Sequence, residues 1–81
     1  MREMLLCDCQ LDKDYVIDKL LTNNKITSHL ENLGFVKKEK IKLLKYNYKN
    51  KSILVKVCGI NYALDIEIAK QVVVINWSEL F

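Results

Sequence analysis

Eighty-one residues, 51% of them hydrophobic and 28% charged, make one small domain that buries only about 60% of its unfolded surface and needs nearly every apolar residue for its core. This mix excludes a disordered tail. Apolar runs such as Val72–Ile75 stop at four residues, far from the roughly 20 that span a bilayer.

The net charge of +3 is unevenly spread. Between Lys37 and Lys56 stand eight lysines and one acid, Glu39, a local +7 that leaves −4 for the rest of the chain. Such asymmetry either steers an anionic partner or simply solvates exposed strand faces. The start reaches Glu3 and Asp8 too soon for a secretory signal, so an intracellular protein is expected. There is one histidine, no Ser/His/Asp spacing and no glycine-rich phosphate loop. No nucleophile–base pair can be assembled from these residues, and the expectation is against an enzyme.

Residues 1–10 read as a short leader. The first strand is predicted over Tyr15–Leu21, which is short and rich in β-branched and aromatic residues. The acids around it, Asp8, Asp12, Asp14 and Asp18, read as solvation. After Thr22-Asn23-Asn24 the apolar positions Ile26, Leu30 and Leu33 form an i, i+4, i+7 stripe, which predicts an amphipathic helix over residues 24–33. Asn23 or Asn24 is placed to cap its start, and Gly34 to end it in a left-handed conformation. Glu39–Leu43 alternates with period two as a half-buried strand does. The alternation slips at Leu43-Leu44, which predicts a β-bulge or a sharp bend. Ile53–Cys58 and Ile60–Leu64 form a hairpin about Gly59, with Cys58 read as a small core residue. Asp65 is expected to cap one helical turn over residues 66–69. Lys70–Ile75 closes the fold as a strand buried on both faces, and the tail 76–81 either folds back or packs between subunits.

Five short, mostly antiparallel strands point to a mainly β, small α+β fold curled into a small barrel, with an open sheet carrying the helix on one face as the alternative. Cys7, Cys9 and Cys58 are an odd count without a CxxC pair, so no disulfide framework or structural zinc site follows. Cys7-Asp8-Cys9, with His29, are candidates for a soft metal but fall short of the four ligands of structural zinc. No resident cofactor is expected.

Leu30-Glu31-Asn32-Leu33-Gly34-Phe35 resembles the helix-ending Leu-x-x-Leu/Met-Gly-hydrophobic signature of the FeoA family. Val57-Cys58-Gly59, then Tyr62-Ala63-Leu64, Ala69 and Val72-Val73-Val74, are similar to that family's hairpin, helical turn and last strand. The likeness runs from about Leu11 to Ile75. It departs where the family often has Pro-Gly after the helix and this chain has Lys37-Lys38. The resemblance implies an SH3-like barrel of five strands. It also implies a cytoplasmic accessory protein of bacterial ferrous iron uptake that contacts the cytosolic, GTP-binding part of the FeoB transporter, peripheral at the inner membrane if the basic stretch meets anionic lipid. The family is associated with transition metals. Lys37, Lys38, Lys42, Lys45, Tyr46 and Tyr48 are the expected partner surface. In a nucleic-acid-binding barrel, the alternative, the same lysines would meet phosphates and the tyrosines would stack on bases. A metal-binding protein built on the N-terminal cysteines is the third reading.

Overall fold

The computed structural model describes residues 3–80. Its elements in chain order are β1 (Glu3–Leu5), a 3-10 turn (Leu6–Asp8), β2 (Asp14–Leu20), α1 (Asn24–Leu33), β3 (Lys40–Asn47), β4 (Ser52–Val57), β5 (Ile60–Asp65), α2 (Ile66–Ala69), β6 (Val72–Asn76) and a 3-10 turn (Trp77–Leu80). The strands form one antiparallel sheet in the order β1-β6-β2-β3-β4-β5. This is the expected mainly β, small α+β fold with one strand more than the five read from the sequence.

The extra strand comes from the segment read as a leader. Glu3, Met4 and Leu5 pair with Ile75, Val74 and Val73 of β6, and Leu6 and Cys9 beyond them are buried. Three residues are too few to show a period, so only the pairing reveals this strand. The sheet coils over one core, because Leu6 beside the β1 edge and Leu64 on the β5 edge belong to the same apolar cluster. Tyr15, Phe35, Ile41 and Leu43 fill its middle.

Local chemistry accounts for the helices. The Asn23 side chain accepts from the Ile26 N–H at 2.9 Å, which satisfies one of the free amides at the start of α1. Gly34 ends the helix at φ +108°, a region favourable to glycine. A Cβ there would also lie 3.0 Å from the Cys58 sulfur. Leu30 is the buried anchor of α1. At α2 the expected Asp65 cap is not made; the Ile66 N–H instead donates to the Lys51 carbonyl at 2.9 Å.

The bulge falls where the alternation slips. The register between β3 and β4 shifts between Leu43 and Lys45, so Leu44 is the additional residue. A second shift, at Asp18 in β2, has no signature in the sequence pattern. Cys58 is a correction to the sequence reading. Ile53, Val55 and Val57 face the core, so parity turns residue 58 outward. Cys58 and Gly59, both at positive φ (53° and 77°), form the two-residue turn that suits the twist of an antiparallel hairpin. Cys58 is therefore exposed and not part of the core. The last strand is buried on both faces as expected, with Val72, Val73, Val74 and Ile75 all inside. The tail folds back: its 3-10 turn lies against β2 and β6, and the Trp77 ring lies 5.3 Å beneath the Lys40 ammonium.

Candidate protein-interaction surface

The lysine-rich run is not one patch. Lys37 and Lys38 are exposed in the turn that leads into β3. Lys38 takes φ +74°, the conformation that glycine would adopt with less strain, and its N–H donates to the Ile17 carbonyl at 2.8 Å. The turn therefore forms without Pro-Gly.

Lys40 and Lys42 project from the first half of β3, on the face opposite the buried Ile41 and Leu43. Asp14, at the start of β2, stands opposite Lys42 in the register. Its carboxylate meets the Lys42 ammonium at 3.6 Å and the Lys40 ammonium at 3.4 Å. One acid read as solvation thus pairs with two cations of the run and offsets one of their two charges. Only the β2–β3 pairing brings Asp14 to them, so no local signal marks it. Beside this row the Glu39 carboxylate pushes the pKa of the exposed Cys58 thiol above the ordinary thiol value.

Beyond the bulge the surroundings change. Lys45 is exposed, as are Lys49 and Lys51 in the turn that joins β3 to β4, and none of the three makes an ion pair among the described residues. Tyr48 is 79% exposed. Its ring stacks on Tyr46 with centroids 5.6 Å apart and planes 12° from parallel. Tyr46 is fixed from beneath: its hydroxyl donates to the Cys7 carbonyl, with the Cys9 carbonyl oxygen 3.2 Å away. Burial, and then the neighbouring Cys7, Cys9 and Asp8, raise the Tyr46 pKa, so the hydroxyl keeps its proton and serves as a donor. At the hairpin turn the Asn47 side chain accepts from the Asn50 N–H.

Of the six residues expected at a partner surface, the structure gathers Lys45, Tyr46 and Tyr48 at one end of β3. Lys37 and Lys38 lie at the other end, and Lys42 is held by Asp14. Lys49 and Lys51, inside the lysine-rich stretch but outside those six, belong with the first group; a turn has no periodicity to place them.

The metal candidates are dispersed. Cys7 touches Asp8 at 3.9 Å. Cys9 is buried, its thiol directed to the Leu5 carbonyl and pushed up to about 12, first by burial and then by the charge of Asp8. A metal-binding thiol needs the opposite shift. His29 lies in α1, on the rim of a groove of about 410 Å³ between that helix and β5, with Ile26, Leu33, Tyr62 and Ile68 among its walls. Among the described residues no three His, Cys, Asp or Glu side chains converge to hold a metal ion, and no helix is long and apolar enough to cross a membrane.

The family model for the FeoA domain matches residues 4–76. The chain belongs to the FeoA family. The matched span takes in most of the supposed leader, as the β1–β6 pairing requires. FeoA from Stenotrophomonas maltophilia, solved with zinc and described as a prokaryotic SH3 domain protein and a candidate ferrous iron transport activating factor, is 32% identical with TM-score 0.76, covering 88% of each chain. FeoA from Chlorobium tepidum superposes with TM-score 0.85 at 19% identity, covering 91% of this chain and 70% of that one. A manganese-dependent transcriptional repressor shares the fold, with TM-score 0.84 at 13% identity, covering 91% of this chain and 36% of the repressor. No curated protein sequence matches the chain.

Proposed function

We propose that this FeoA-family chain is a cytoplasmic accessory protein of ferrous iron uptake, acting by contact with the cytosolic GTP-binding part of a FeoB transporter and carrying no chemistry of its own. The observation that carries the reading is the family match over residues 4–76. It is supported by a surface whose distinctive feature is a cluster of exposed lysines that make no ion pair among the described residues. Ferrous iron is the transporter's cargo in this reading, and the accessory protein works through binding alone.

The test is uptake of radiolabelled ferrous iron by cells that lack this chain. Slower uptake that the unsubstituted gene restores, together with binding of the purified protein to the transporter's cytosolic part, is the expected result. Unchanged uptake and no binding would overturn the reading.

A further inference from the structure

We infer that the tip of the β3–β4 hairpin is the docking point for an acidic, exposed segment of a protein partner, with Tyr48 as the anchor. The inference rests on the partner reading above and assigns it a place and a chemistry.

Three features converge on that tip. The first is charge. From Lys40 to Leu64 the chain has six lysines and no acid; the three at the tip make no ion pair among the described residues, while Asp14 pairs with the two at the start of β3. The second is the ring. A tyrosine 79% exposed contributes little to the core, yet Tyr is among the residues that dominate interface energetics. The third is rigidity. Tyr46 supports the Tyr48 ring and is itself held by the backbone at Cys7 and Cys9. The hairpin turn is closed by Asn47 and tied to α2 through the Lys51 carbonyl. An aromatic already fixed in place loses little freedom on binding, which leaves more of its contact energy for affinity.

The surroundings favour an acidic protein segment over a nucleic acid. A single strand binds along a basic groove with successive aromatics beneath successive bases. Here Tyr46 and Tyr48 stack on each other, so they do not stand apart as successive platforms for two bases. Acids also flank the tip: Asp8 is close enough to raise the Tyr46 pKa, and Asp65 and Glu67 line the hollow next to Lys51. A phosphate backbone, charged at every step, would meet them as it passed over the tip, whereas a short acidic segment carries few charges and need contact only the lysines and Tyr48.

The test is titration of the full chain against the purified cytosolic GTP-binding part of the FeoB transporter, with Tyr48→Ala and Tyr48→Phe as variants. Unfolding of each variant in urea checks that the fold is intact. Tyr48→Ala should weaken binding about 30-fold, the scale of an interface hot spot, and Tyr48→Phe should bind nearly as the parent does. Binding unchanged by Tyr48→Ala overturns the docking inference and leaves the transporter reading standing. No binding by the unsubstituted protein overturns both. Tighter binding to a single-stranded oligonucleotide or to anionic phospholipid vesicles, lost in Tyr48→Ala, overturns the choice of an acidic protein partner.

Discussion

One strand carries two kinds of lysine. On the first half of β3, Lys40 and Lys42 lie over Asp14, and Lys40 also covers the Trp77 ring. Past the bulge at Leu44, Lys45 and its turn neighbours Lys49 and Lys51 make no ion pair among the described residues. The residue type is the same, and Lys45 lies on the same strand as Lys40 and Lys42; the neighbouring strand differs. β2 pairs with β3 only as far as Lys42, so its acids reach the first group and not the second. A run of like charge in a sequence is therefore not a patch until the sheet decides which charges are answered, and here the bulge marks the boundary.

The prediction with the largest effect strikes the frame that both groups share. Leu43 is fully buried on β3 between them, so Leu43→Ala should cost about 2–5 kcal/mol in urea unfolding. A loss under about 1 kcal/mol would mean that the strand is not the support of both regions.

Alkaline unfolding probes the base of the hairpin. Burial holds the Cys9 thiol up at about 12 against 9.0 for an ordinary thiol. The stability linked to that shift is whole below pH 9 and is lost as the pH rises towards 12. Cys7 and Tyr46, raised in the same direction, add to the same limb. Cys9→Ala should flatten the loss of stability above pH 9, and an unchanged slope would contradict the burial of that thiol.

A smaller effect separates the two tyrosines. Tyr46→Phe removes the hydroxyl that binds the backbone at Cys7 and Cys9 and should cost about 1–2 kcal/mol. Smaller still is the effect of Asp14. Its ion pairs are partly solvated, so Asp14→Asn should cost less than about 1 kcal/mol, and the difference should shrink in high salt. An equal cost at both salt concentrations would show that Asp14 acts through packing and not through charge.

Much of this was legible in the sequence, where the signal was local. The stripe Ile26, Leu30 and Leu33 with Gly34 marked α1, the slip at Leu43-Leu44 marked the bulge, and the run from Val72 to Ile75 marked the strand buried on both faces. What escaped was set by pairing. Glu3–Leu5 becomes a strand because β6 offers it an edge, and Asp14 becomes a clamp because β2 lies beside β3. Cys58 looked like part of a strand because it follows Val57, yet the hairpin needs a positive φ there. At the candidate site, Tyr46 and Tyr48 were recognisable by composition. That Tyr46 is tied to the backbone at Cys7 and Cys9, 37 to 39 residues away in the chain, follows only from the fold.

The contrast between the two lysine groups is tested most directly by one paired measurement. Binding of the cytosolic part of the FeoB transporter is titrated at low and high salt with two double variants, Lys45→Gln with Lys49→Gln and Lys40→Gln with Lys42→Gln. The first pair should slow association and weaken affinity at low salt, with the difference fading at high salt as exposed charges are screened. The second pair should lose less than the first, because Asp14 already offsets one of those two charges and both ammonium groups are engaged with it. Equal losses from the two pairs, or a larger loss from Lys40 and Lys42, would contradict the division of the lysines on which the account rests.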